Sequence, residues 1–235
     1  MLPALSASAL ALALQWVLGA GTPSLSDAGT PTDAGTPLVD ASRLEEARAL
    51  VPLPLRYGRF RPEVGTYVEY DVTSKEGRVR VRAALVGRTV RKDGTTLFQL
   101  EFDYLETKPH SLVVLWLIGE TSPLVDRLAL SLEPHAPISI PVDLPVETPE
   151  LRGRPGADVD VQVKTGPFAG KAVRRPYRLE DGRGAEVVLS DKVPLFGVES
   201  VRGGDGTTWV ARKQGTGARP ELKSVPVAIP RLPEP

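Results

Sequence analysis

From residue 66 onward, apolar residues recur at every second position, and glycine, proline or aspartate interrupts the pattern at short intervals. A period of two is the signature of strands with one buried face, and frequent turn residues mark hairpins. Val68, Tyr70 and Val72 share one face of the first such run, while Tyr67, Glu69 and Asp71 share the other. Val79, Val81, Ala83 and Leu85 alternate with Arg78, Arg80 and Arg82 in the next. The turn Ser74-Lys75-Glu76-Gly77 between them predicts a hairpin that sets the two acids beside the arginines. That charge stripe reads as a solvated outer face, with an anion-binding patch as the alternative.

Further runs follow the same rule. Phe98, Leu100, Phe102 and Tyr104 alternate with Gln99, Glu101 and Asp103 after a Lys92-Asp93-Gly94 turn. Leu112 to Ile118 is continuously apolar and reads as a strand covered on both faces. Pro123 to Leu132 fits helix or strand. Ile138 to Ile140 is a short strand between prolines, and the proline-bearing stretch 144–156 reads as a loop. Strands resume at Asp158 to Lys164, Ala172 to Leu179, Ala185 to Leu189, Gly197 to Val201 and Thr207 to Arg212. No strand–helix–strand alternation occurs, so a parallel sheet is not expected. One short helix is predicted near the N-terminus. Ser42 and Glu45 form a capping box, Leu44, Ala47 and Leu50 make an apolar stripe, and Pro52 and Pro54 end it. The expected fold is mainly β, an antiparallel domain with that helix. Pattern alone leaves half-barrel, closed barrel and sandwich open.

The chain has 235 residues, 41% of them hydrophobic, which suffices for one sizeable core. Its formal net charge is zero, against a nucleic-acid binder. It has no cysteine, which removes disulfides, thiolate metal sites, cysteine nucleophiles and a cysteine-linked lipid anchor. Residues 1–21 run through Ala4 to Leu14 and end in small residues, the pattern of a secretory signal peptide. Read instead as a membrane anchor, the run is short, rich in alanine and without flanking positive charge. Asp27-Ala28-Gly29-Thr30-Pro31 recurs as Asp33-Ala34-Gly35-Thr36-Pro37, so residues 22–41 read as a low-complexity spacer or a glycosylated stalk. The β-rich domain then covers 42–224, and residues 225–235 form a proline-rich tail.

Candidate sites are few. His110 and His135 sit in turns, outside zinc-binding spacings and without a Gly-x-Ser-x-Gly elbow. Asp158 and Asp160 share a strand face, which suits the polar face of an amphipathic strand better than a calcium or acid–base site. The glycines of 203–206 and 215–217 read as hairpin turns, with no Gly-Lys-Ser/Thr to make a phosphate loop. No catalytic residue, metal or cofactor is therefore expected. Phe98, Phe102, Trp116, Phe196 and Trp209 are the candidate lining of a hydrophobic-ligand cavity, or else ordinary core.

The stretch Leu189-Ser190-Asp191-Lys192-Val193-Pro194-Leu195-Phe196-Gly197-Val198 resembles a signature of uncharacterised secreted bacterial envelope proteins. Tyr57 to Tyr70 and Lys213 to Ala218 resemble the same group. That group is similar to the periplasmic lipoprotein-carrier superfamily, whose members fold as a curved antiparallel half-barrel covered by helices. This chain departs from it at Val188 and Leu189, where the group carries tryptophan, and at Val163 to Phe168. The resemblance implies an exported, periplasmic or extracellular, non-enzymatic envelope protein that binds or carries a lipid, a lipoprotein or another hydrophobic ligand. The alternative is a structural or protein-interaction module with a filled core. Pro194 and Gly197 are expected to bend the chain so that Leu195 and Phe196 point inward.

Overall fold

A computed structural model describes residues 47–228. The expected signal peptide, the spacer, the capping box at Ser42 and Glu45, and residues 229–235 of the tail lie outside that range. Residues 47–50 are helical, and a second short helix, α1 (Leu53–Tyr57), follows Pro52. Pro54 stands in the first turn of α1, where a missing N–H breaks no helical bond. The strands are β1 (Tyr67–Ser74), β2 (Gly77–Val90), β3 (Thr96–Tyr104), β4 (Ser111–Ile118), β5 (Leu124–Leu132) and β6 (Ile138–Pro145). After α2 (Pro149–Arg152) come β7 (Arg154–Pro155), β8 (Val159–Val163), β9 (Gly170–Arg178), β10 (Gly184–Leu189), β11 (Val198–Arg202), β12 (Thr208–Gly215) and β13 (Val227–Ala228).

These strands form one sheet in the order β13-β6-β5-β4-β3-β2-β1-β12-β11-β10-β9-β7, with β8 also on β9. Every pairing is antiparallel except β13 with β6. The two ends of the path are not joined. The protein is therefore mainly β, a curved, unclosed sheet of half-barrel character with a few short helices.

The first hairpin has the predicted register, with Val72 opposite Val79, Tyr70 opposite Val81 and Glu69 opposite Arg82. The charge stripe is less solvated than its composition suggests. Glu69 is only 6% exposed, because Arg82 (3.0 Å) and Lys213 (3.7 Å) close over it. Asp71 is bonded by Arg78 and by Arg212 (2.8 Å). The stripe is thus a set of cross-strand pairs on three adjacent strands, β2, β1 and β12.

Residues 123–132, ambiguous in sequence, are strand. Strand β6 runs past Pro141 to Pro145, beyond the predicted end at Ile140. Its outer side is a sheet edge there, and an edge tolerates a residue without an N–H. The stretch expected to be all loop holds α2 and β7.

Burial explains the continuous apolar run of β4. Val113, Leu115 and Leu117 enter the main core on the concave side. Leu112, Val114 and Trp116 face the convex side and pack with Leu97, Ala129, Ile118 and Leu222. The chain after β12 covers that outer cluster. Ala218 N–H donates to Gly65 O (2.9 Å), Glu221 N–H to Glu101 (2.7 Å) and Val227 N–H to Pro137 O (2.8 Å). Glu101 is 1% exposed, and burial raises its carboxyl above the usual glutamate range, against the bonds from Glu221 and Gln99.

Candidate functional site

Four of the five candidate aromatics meet on the concave side. Their rings form a chain with residues that sequence reasoning had not joined to them. Phe98 touches Phe60 (5.8 Å), Phe60 stacks on Phe196 (6.4 Å), and Phe196 stacks on Phe102 (5.9 Å). Phe102 meets Trp209 edge-on (6.2 Å), and Trp209 meets Tyr70 (5.8 Å). All six rings are at most 4% exposed. Trp116 is not among them. It lies on the convex side, opposite Gln99 in register, under the guanidinium of Arg127 at 4.3 Å.

One continuous segment covers the concave face. Val51, Leu55, Tyr57 and Phe60 all belong to the main core. The loop 190–197 holds that segment in place. Ser190 N–H donates to Gly197 O (2.7 Å) and closes the loop. Leu195 takes a left-handed φ of 62° while only 1% exposed, a conformation that costs a non-glycine residue free energy. The turn aims two carbonyls outward, and Arg59 N–H donates to Phe196 O (2.8 Å) and Arg61 N–H to Leu195 O (2.7 Å). Leu195 and Phe196 themselves point inward, as the signature predicts. Gly58 sits where the two parts touch. A Cβ there would lie 2.5 Å from Pro54 O and 2.6 Å from Phe196 O.

Beside this clasp the sheet is open, and the gap forms a cleft of about 650 Å³. Its walls come from the clasp (Arg59, Arg61, Asp191), the β8–β9 end (Asp158, Asp160, Lys171, Arg175) and the far side (Ser122, Glu147, Arg152). Three ion pairs stiffen it. Arg175 grips Asp158 through two bonds (2.6 and 2.7 Å), Arg152 meets Glu147 (3.1 Å), and Arg61 reaches Asp191 (3.4 Å). The bonds from Arg175 hold the Asp158 carboxyl below its usual range. The Nε of Arg61 is buried without a hydrogen-bond partner. Arg59, Lys171 and Asp160 make no side-chain bond or ion pair among the described residues, so their charges are available to a polar partner. Asp158 and Asp160, on the polar face of their strand, both line this cleft. The signals for the site are weak in sequence. Arg59 and Arg61 lie more than a hundred residues from the loop they bind.

The histidines lie elsewhere. His110 bonds Asp103 at 2.6 Å, and the neighbouring Ser111 hydroxyl donates to Pro109 O (3.2 Å). His135 is in a turn whose N–H returns to Leu132 O (2.8 Å). Neither lines the cleft. The turn at 203–206 is a tight hairpin, with Gly203 N–H on Thr207 O (2.8 Å) and Asp205 accepting from Thr207 N–H (2.9 Å).

Compared with known proteins, the sequence matches no family model and no curated protein.

Proposed function

We propose that this is an exported, non-enzymatic protein of the cell envelope that works as a protein-interaction module with a filled core. The observation that carries the reading is the chain of six buried rings on the concave side, capped by residues 51–60. An acyl chain needs dry, apolar space of its own. Here the space it would take is occupied by the protein's own phenylalanines. The cleft that remains is lined by 19 residues, nine of them charged, and hydrocarbon laid there would strand those charges away from water. A polar partner, by contrast, can pair with Arg59, Lys171 and Asp160. Export rests on the signal-like residues 1–21.

A second reading keeps a hydrophobic ligand. It is favoured by the resemblance of residues 189–198 to carrier-like envelope proteins. It is also favoured by the fact that one short segment, 51–60, supplies Val51, Leu55, Tyr57 and Phe60 to the core on the concave face. Native mass spectrometry of the exported protein, purified without detergent, separates the two. The interaction-module reading predicts a bare mature mass that added fatty acid or phospholipid leaves unchanged. A retained or acquired adduct in the lipid mass range would replace it with the carrier reading.

A further inference from the structure

The two ends of the open sheet are treated differently by the sequence. At one end β6 is guarded. Strand β13 pairs with its first residues, Pro141 and Pro145 remove N–H donors, and Asp143 breaks the extended path at a φ of 42°. These are the devices that keep an edge strand from pairing with another chain. At the other end the flank of β9 is taken by β7 and β8, and the outer side of β8 has no partner among the described residues. Strand β8 reads Val159-Asp160-Val161-Gln162-Val163, with no proline, no lysine and no bulge in its register with β9. Its three valines are strongly strand-forming, and Asp160 is its single charge.

The faces of β8 follow from the register. Val187 is in the main core and lies opposite Arg175, while Val173, two residues along, lies opposite Asp160. Asp160 therefore faces the concave side, and Val159, Val161 and Val163 share the other. Val159 is 44% exposed there. We propose that β8 pairs with β8 of a second copy of this chain, antiparallel about a two-fold axis through Val161. This register is self-complementary. Val161 meets Val161 of the second copy, and Val159 meets Val163, on one face. On the other face Asp160 meets Gln162, whose amide can donate to the carboxylate. One step further out, Asp158 meets the exposed Lys164. A slip of one residue sets valines opposite polar residues throughout, and centring on Asp160 puts two carboxylates face to face. An isologous contact of this kind closes on itself and yields a dimer rather than a fibre. The inference does not depend on which ligand reading is right, since the edge is separate from the ring chain and the dimer leaves Arg59 and Lys171 of the cleft to a polar partner.

The chain has no cysteine, which allows a clean test. Sedimentation velocity from about 1 to about 300 µM should show a monomer–dimer equilibrium for the full mature chain. Val161→Lys places two like charges opposite each other on the axis and should leave only monomer, with unchanged thermal unfolding. Val161→Cys should form a disulfide-linked dimer on mild oxidation, because directly opposed residues have Cα atoms about 4.5–5.5 Å apart. Val159→Cys should not, since in this register it faces Val163. A monomer at every concentration would overturn the proposal. So would a dimer that survives Val161→Lys, or equal cross-linking of the two cysteine variants. Pairing with an extended segment of a different protein would appear as the first of these outcomes.

Discussion

Replacing Phe102 by alanine should destabilise the native state by about 3–5 kcal/mol. Phe102 is fully buried, stacks on Phe196 and meets Trp209 edge-on. Removing its ring deletes two aromatic contacts and leaves a void between β3, held by hydrogen bonds on both sides, and the rings of Phe196 and Trp209 packed against it. Phe102→Leu keeps most of the volume and should cost markedly less. Urea unfolding followed by circular dichroism measures both. If the concave side held a loose, solvent-filled chamber, the ring would already be partly wet. The alanine variant would then lose only about 1 kcal/mol.

Gly58→Ala should cost about 3 kcal/mol, from crowding alone. Gly58 has an ordinary negative φ of −84°, so an alanine is not strained by its backbone. What it lacks is space. The added methyl would meet Pro54 O, Phe196 O and Phe196 Cβ, all within 2.7 Å. Relief requires moving α1 away from the 190–197 loop, which breaks the bonds of Arg59 and Arg61 to Phe196 and Leu195. Gly94→Ala provides the contrast. Gly94 has a φ of +85° and open space around it, so the substitution should cost only about 1 kcal/mol, all of it backbone strain. Thermal unfolding of the two variants side by side separates the causes. Equal losses would mean that the contact between α1 and the loop is not tight.

How much of this was legible in the chain depends on range. Local alternation gave β1, β2 and β3 with their inward residues, because a period of two is written into the sequence itself. The two-sided burial of β4 was legible from its unbroken apolar run. The position of Trp116 was not. Within β4 its parity is opposite to that of Val113, Leu115 and Leu117, but which parity joins Phe98 and Phe102 depends on the β3–β4 register. That register sets Phe98 opposite Leu117 and Gln99 opposite Trp116. The extension of β6 through Pro141 was hidden because a proline argues against a strand unless the strand is known to be an edge. The clasp was hidden for a different reason. Its bonds are made by the backbone N–H groups of Arg59 and Arg61, and every residue but proline carries such a donor. Only Gly58, flanked by large residues, hinted at a close approach. The filled core and the ligand chamber ask for the same aromatic residues, so composition could not separate them.

On the filled-core reading, residues 51–61 are a fixed part of the core and not a cover that lifts. Native-state hydrogen exchange at the amides of Arg59 and Arg61 tests it most directly, since both donate to the signature loop. Both should exchange only through global unfolding, with the same protection as the amides of Tyr70 and Phe102, and added fatty acid should change nothing. Exchange of Arg59 and Arg61 at a lower free energy, while β1 and β3 stay protected, would contradict it. The chain of rings would then be a chamber that opens.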